Sequence, residues 1–426
     1  MPTKITVILA LIGTAVSLQS AALASNKENV LYSFCVKDSS CADGAIPWDS
    51  VVPDGSGNLY GTTMLGGAYG LGAVFQLTPS ANGRWEEKVL YSFSGQDGAD
   101  PQSALIFDAA GNLYGTTFYG GNTYASGCGG SGCGAVFRLK PAKNGSWKEE
   151  VLYSFCSAAN CADGAGPWGS VVLDTNGNLY GMAYQGGTTN YGLVFKLHPK
   201  GNGVWTEQVL HLFDRNGKDG IWPEAALVLD SSGTLYGTTP FGGQYDGGIA
   251  FSLHIAKNGE WRETVLHSFG NDGTDGRIPL AALLLGSDGR LYGTTQSGGA
   301  YGFGNVFLLE QRGNRWTEQM VHSFSGRDGF LTHANLISDA KGSLYGTSGG
   351  GTYGQGLVFE LIPISKSKWR EKVLYSFRDN GEDGRGPETG LNFDSTGNLY
   401  GMTVLGGASG DGCEGYGCGA VFKITP

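Results

Sequence analysis

The stretch that decides the fold is DAAGNLYGTT at residues 108–117, followed by AVFRL at 135–139 and WKEEVLYSF at 147–155. It holds an Asp-x-x-Gly turn and three short runs rich in β-branched and aromatic residues, separated by Gly, Asn and Pro. No window carries a helical period. Four strands per unit are predicted. Strand A is the apolar run ending at the Asp, as in Ala226–Asp230 of the fourth unit. Strand B is Leu-Tyr-Gly-Thr-Thr, strand C the Val-Phe-x-Leu run, and strand D runs from Trp to the end of VLYSF. The C–D turn carries Asn-Gly at Asn82, Asn144, Asn202 and Asn258, the residues a tight primed hairpin requires.

Working outward, the same unit recurs along the whole chain. Leu-Tyr-Gly occurs seven times, from Tyr60 to Tyr400, and VLYSF or a variant seven times, from Phe34 to Phe377. An Asp-Gly opens each unit, from Asp43 to Asp383, and always stands 17 residues before the strand B Tyr. A unit of about 57 residues suits a four-stranded propeller blade. The chain begins with a strand D that lacks its blade, Val30–Phe34, and ends with a strand C, Val421–Ile424. Pairing the two completes a seventh blade and leaves no ragged edge. The expectation is one all-β domain over residues 25–426, a seven-bladed β-propeller closed by its N-terminal strand.

The Asp-x-x-Gly-Asn-Leu-Tyr-Gly-Thr-Thr string, with a following Gly-Gly and Gly-x-Val-Phe, resembles the extracellular Gloeobacter/Verrucomicrobium repeat family, the GloVer repeats. It is clearest at Asp108–Phe137 and covers about residues 29–426. The resemblance implies secretion and the propeller, and transfers no catalytic residue.

Composition narrows the function classes. The chain has 426 residues with 20 Tyr, 20 Phe and 9 Trp, enough aromatic surface to offset chain entropy and exclude disorder. The 74 Gly follow no three-residue period, which excludes collagen. A net charge of −10 argues against a nucleic-acid partner, which needs a basic face. Lys4, the apolar run Ile5–Val16 and Ala22-Leu23-Ala24 read as a signal peptide over residues 1–24, too short to insert as a membrane span. A secreted or periplasmic monomer is expected. Eight cysteines fall into four local pairs, Cys35/Cys41, Cys128/Cys133, Cys156/Cys161 and Cys413/Cys418, read as disulfides rather than zinc ligands.

Residues common to every unit read as scaffold. The seven Asp-Gly pairs supply turns; calcium is the weighed alternative, but their spacing does not match a calcium loop, and no cofactor is expected. His211, His267 and His322 take the Tyr position of strand D on diverging outer strands, so they cannot converge on one ion. Ser348 in Gly-x-Ser-x-Gly merely replaces a strand B Thr, and Gly127-x-Gly129-x-x-Gly132 lies outside any βαβ unit.

Function is sought where the scaffold repeats and the side chain does not. Length changes and cysteines fall in the B–C and D–A connections, which share one face, here called the top. The residue opening the innermost strand is, in blade order, Trp48, Gln102, Trp168, Glu224, Leu280, His333 and Glu388, with Asp100, Trp222, Arg277 and Arg385 just before it. Trp48, Gln102, Trp168, Trp222, Glu224, His333 and Glu388 are the candidate ligand-binding residues, backed by top-loop tyrosines such as Tyr124, Tyr191 and Tyr301. The reading preferred is non-catalytic binding of an extracellular glycan or protein. The alternatives are a structural surface repeat, and a glycan-active hydrolase or lyase using Glu224 and Glu388. The disulfides and the Trp48–Trp168 sector suggest that binding concentrates on one half of the top.

Overall fold

In the computed structural model, residues 27–37, 39–121, 126–408, 413 and 416–426 are described. The segment read as a signal peptide, and Tyr124, lie outside the described residues. Seven four-stranded antiparallel sheets follow one another along the chain. In blade 1, strands A to D are Val52–Pro53, Leu59–Thr63, Ala73–Pro79 and Trp85–Ser92. Blade 7 joins Asn392–Phe393, Leu399–Thr403 and Ala420–Thr425 to the N-terminal strand Lys27–Ser33. That strand runs antiparallel to the last, from Lys27 opposite Thr425 to Ser33 opposite Ala420. The molecule is a seven-bladed β-propeller closed by its first strand.

The hydrophobic core is divided among the blade junctions. At each junction the last Phe of strand D meets the strand C Phe of the next blade edge-on or tilted, with ring centroids 4.9 to 5.5 Å apart. All of these rings are fully buried. The strand C ring also lies against the Gly of its own Leu-Tyr-Gly. A Cβ at Gly61 would sit 2.6 Å from Phe75, and the other six glycines meet their Phe at 2.4 to 2.7 Å. The glycine is there for close approach rather than for its torsion. On the far side of strand B, Trp147 packs on Tyr60 of the preceding blade, and Trp85, Trp261, Trp316 and Trp369 repeat the contact.

Two features depart from the sequence reading. Leu90 and Phe93 stand three apart, so a regular strand would point them to opposite faces. Strand D instead carries a β-bulge at Leu90, between Tyr91 opposite Val74 and Val89 opposite Phe75. Both residues are thereby buried, Leu90 at 9 % and Phe93 at 0 % exposure. The bulge recurs in blades 2 to 5 and 7, and in blade 6. Strand A is also shorter than expected: in blade 4 only Val228–Leu229 pair with strand B, not Ala226–Asp230. The residues ahead of strand A bond to the neighbouring blade instead. Ala104 N–H donates to Asp49 Oδ2 (2.8 Å) and Ala282 N–H to Asn335 Oδ1 (2.7 Å).

The Asp-Gly carboxylates do hold turns. Asp163 accepts the N–H groups of Ser157 (2.9 Å) and Ala158 (3.1 Å) and the Tyr153 hydroxyl (2.7 Å). His211, His267 and His322 take the Tyr place in three separate junctions, 3.1 to 3.3 Å from Asp219, Asp275 and Asp328. A third member was not anticipated: a Glu from strand D of the following blade, two residues after the strand D Trp in six blades and at Glu28, with no Trp before it, in the seventh. Glu28, Glu87, Glu149, Glu207, Glu263, Glu318 and Glu371 each bury an Oε1 atom with no hydrogen-bond partner. Burial first, and for all but Glu318 the adjacent Asp carboxylate next, pushes Glu28 and Glu263 up to about 8 and the other five to about 7.

Two predictions follow from these contacts. Deleting residues 27–34 exposes the edge of Ala420–Thr425 and opens the ring; the melting temperature should fall and gel filtration should show association, whereas an unchanged monomer would contradict the closure. The second concerns pH. The junction glutamates ionise near pH 4.5 when unfolded and near 7 to 8 when folded, so the folded state keeps protons that the unfolded chain has lost. Stability therefore falls as pH rises from about 5 through 8. Six turn carboxylates, Asp54, Asp108, Asp174, Asp230, Asp288 and Asp394, are held below the usual 3.8 by the hydrogen bonds they accept, so stability also falls in stronger acid. Calorimetry from pH 3 to 9 should find the highest melting temperature near pH 4 to 5; a maximum at or above pH 8 would contradict it.

Candidate functional site

The rim is placed by local chemistry that repeats in every blade. Three residues after each unit-opening Asp the chain turns through the left-handed region, at Ile46, Asp100, Gly166, Trp222, Ile278, Leu331 and Gly386. Five of the seven are not glycine, so the turn is held against its own preference by its surroundings. Part of the holding comes from the preceding blade's B–C loop: Ile46 N–H donates to Cys418 O (2.8 Å), Gly166 N–H to Cys133 O (2.7 Å) and Trp222 N–H to Tyr191 O (2.8 Å). From below, the first Thr of strand B reaches the next blade's innermost segment, as in Thr62 Oγ1 to Ser103 O (3.0 Å) and Thr347 Oγ1 to Thr389 O (2.8 Å).

These supports bring the seven rim residues around one funnel of about 350 Å³. Trp48, Gln102, Trp168, Glu224, Leu280, His333 and Glu388 all line it. Trp222 does not. It stands beside the funnel wall, its ring 6.0 Å from Phe241 and Tyr191 and 6.3 Å from Tyr184. Arg385 and Arg277 also stay out of the lining: Arg385 turns to Asp379 (3.5 Å) and the Tyr416 ring, and Arg277 lies over Gly270. Asp100 accepts a bond from Gln102 (3.0 Å). Rim residues of all seven blades, Leu280 included, line this single cavity, with Trp48, Gln102 and Trp168 of the expected sector forming part of its wall.

Sequence reasoning missed Asp49, Phe241, Ile278, Gln296 and Asn335 in the lining. Asp49 and Asn335 are structural, spent on backbone N–H groups of neighbouring blades. Gln296 had a signal. It follows Leu-Tyr-Gly-Thr-Thr, a place where the repeat offers Met64, Phe118, Tyr184, Pro240 and Val404 in other blades.

The polar groups divide by their partners. Gln296 Nε2 donates to His333 Nε2 (2.7 Å), leaving His333 Nδ1 facing Glu388 Oε2 at 3.5 Å. Glu224 stands on the other side of His333. Burial pushes its carboxyl up to about 7, and His333 pulls it back. Trp168 is wedged between Phe118 (4.9 Å) and Tyr184 (5.7 Å), which fixes the plane of its ring.

All eight cysteines are paired as expected. What the sequence did not show is that the disulfides come in adjacent couples. The sulfurs of Cys128, Cys133, Cys156 and Cys161 lie within 4.8 Å of one another, as do those of Cys35, Cys41 and Cys418. Each couple joins a B–C loop to the following D–A connection, and each borders the segment leading into one funnel tryptophan, Trp48 or Trp168. The bridges also hold Cys35, Cys41, Cys156 and Cys161 at positive φ.

Other clusters with metal-ligand chemistry lie in the junctions: His211, Asp219 and Glu263, and His322, Asp328 and Glu371. The equivalent place in four junctions holds a Tyr hydroxyl on the same Asp, as at Tyr32 and Asp43 (2.6 Å). Ser348 is 2 % exposed and is bonded to Phe330 O (3.1 Å) and Phe330 N–H (2.9 Å), a scaffold role. Among the described residues no helix is long and apolar enough to cross a membrane.

The Gloeobacter/Verrucomicrobia repeat family matches residues 12–228 and 206–414. The chain belongs to this family. No curated protein matches it. Among solved structures it is similar to a candidate 6-phosphogluconolactonase from Bacteroides uniformis, at 14 % identity over 83 % of this chain and 89 % of that one, with a TM-score of 0.51. It is also similar to a protein of unknown function from Dyadobacter fermentans (10 % identity, 93 % and 99 % covered, TM-score 0.44). A third is the Trypanosoma rangeli sialidase (12 % identity, 82 % and 57 % covered, TM-score 0.43). At such identities only the first likeness bears on this chain, and it extends to the fold alone. Within this family member the four disulfides suit an extracellular setting.

The disulfide couples generate a prediction. Each bridge closes a loop of five or six residues, so each contributes about 2 kcal/mol at most. Reduction should leave the far-ultraviolet β spectrum intact at 25 °C while changing tryptophan fluorescence and speeding proteolysis at residues 35–41 and 156–161. Cooperative unfolding on mild reduction would show that the bridges hold the ring itself.

Proposed function

We propose that this GloVer-repeat propeller is an extracellular glycan-binding protein whose site is the top funnel. The observation that carries the reading is the pairing of two indoles, Trp48 and Trp168, with the polar set Gln102, Glu224, His333 and Glu388 in one cavity. Indole faces suit the apolar faces of sugar rings, and carboxyl, amide and imidazole groups suit hydroxyls. The volume accommodates one or two sugar units rather than a protein segment. Bracing by two disulfide couples and by Phe118 and Tyr184 favours binding, because ordered side chains lose less entropy when a ligand arrives.

One observation favours a second reading. Glu224 and Glu388 share the funnel with His333, and a carboxyl titrating near 7 together with one 3.5 Å from an imidazole nitrogen is an acid–base set usable for glycoside cleavage. Turnover of a bound oligosaccharide, lost in Glu224→Gln, would establish it.

The binding test is a glycan array followed by calorimetry on any hit. Trp48→Ala and Trp168→Ala should each weaken binding about tenfold or more, with the melting temperature little changed. Val204→Ala, on the exposed C–D hairpin of the face opposite the funnel, should bind as the parent does. Equal losses at all three would overturn the funnel as the site.

A further inference from the structure

The charges in the funnel are one-sided. Among the described residues its lining contains Glu224, Glu388 and Asp49 and not one Lys or Arg. Of the two arginines in the turns that lead to the rim, Arg385 pairs with Asp379 and the Tyr416 ring, and Arg277 is exposed over Gly270, outside the lining. The carboxyl groups are not equivalent. Asp49 is consumed by the N–H groups of Ser50 and Ala104, and Glu388 is engaged by His333. Glu224 is half-buried in the funnel wall, and among the described residues it is given no hydrogen bond or salt bridge; His333 acts on it only through its charge. An unpaired carboxyl in a site of low polarity is costly unless a donor or cation arrives with the ligand. Beside it run aromatic rings, Phe241 in the wall, then Trp222, Tyr184 and Trp168, whose faces attract a cation that a carboxylate neutralises.

We propose that the funnel selects a glycan bearing a free amino group, a hexosamine unit rather than its N-acetylated, neutral or acidic counterpart. Glu224 receives the ammonium group, Trp48 and Trp168 hold the ring, and the His333–Glu388–Gln296 cluster takes the hydroxyls. Uronic and sialic acids are disfavoured by the same field, since no cation waits for their carboxylate. This inference rests on the glycan reading and gives it a substrate class. The desolvation that holds the Glu224 carboxyl near 7 agrees with it, because an arriving ammonium lowers that cost.

The experiment is calorimetric titration at pH 6.5, where the sugar amine is protonated, of the full chain with three oligosaccharides of equal length, built of glucosamine, N-acetylglucosamine and glucose. Glucosamine should bind at least tenfold more tightly than the other two. Glu224→Gln should bring the three together by weakening the glucosamine oligomer alone, while Trp48→Ala weakens all three. Equal affinities in the parent, or a preference for glucosamine that survives in Glu224→Gln, overturn the amine proposal and leave glycan binding standing. Failure of all three sugars to bind overturns the glycan reading and the amine proposal with it.

Discussion

At every blade junction two phenylalanine rings meet, one from the last strand of a blade and one from the third strand of the next. The second ring lies against a glycine that has no room for a methyl group. A single four-stranded sheet of this size cannot bury its own faces, so the ring of blades is the smallest unit that completes the core. The contact fixes the distance between blades, the distance fixes the diameter of the ring, and the diameter fixes the funnel. It also explains why strand D tolerates a bulge at Leu90: only the bulge delivers both Leu90 and Phe93 to the same junction.

On this regular frame the top face is built to differ. The unit-opening Asp, the left-handed turn three residues later, and the strand B Thr recur around the ring with few replacements, and they aim one side chain per blade at the axis. Because aim is supplied by backbone and scaffold groups, the aimed residue is free to vary. The result is a cavity with indoles at Trp48 and Trp168, carboxyls at Glu224 and Glu388, and an aliphatic residue at Leu280. The disulfides add rigidity where the two indoles enter, rather than around the whole rim.

Carboxyl groups serve two purposes in the same molecule, and their partners separate them. In the junctions, each buried Glu faces the Asp of the preceding connection and the Tyr or His bonded to that Asp, a sevenfold arrangement that belongs to the scaffold. In the funnel, Glu224 has no such companions and faces solvent-accessible space lined by aromatic rings. Similar desolvation produces a stability term in one place and, in the site proposed above, the group offered to a ligand in the other.

By itself the sequence determined the strands, the blade count, the closure by Val30–Phe34 and the cysteine pairing. These follow from short-range periodicity and from a unit repeated seven times, and repetition turns a weak local signal into a strong one. That six of the seven candidate residues line one funnel was also legible, because a variable side chain in an invariant frame marks a position released from packing. Trp222 stands two residues before Glu224, and at its positive φ the turn carries its side chain beside the funnel instead of into it. Gln296, the stacking of the disulfides across two connections and the buried Glu–Asp pairs were decided by the tertiary structure alone. Each joins residues of neighbouring blades or of different loops. No local pattern encodes which side chains meet once seven sheets are wrapped around an axis, because that depends on the angle between blades rather than on the order of residues within one.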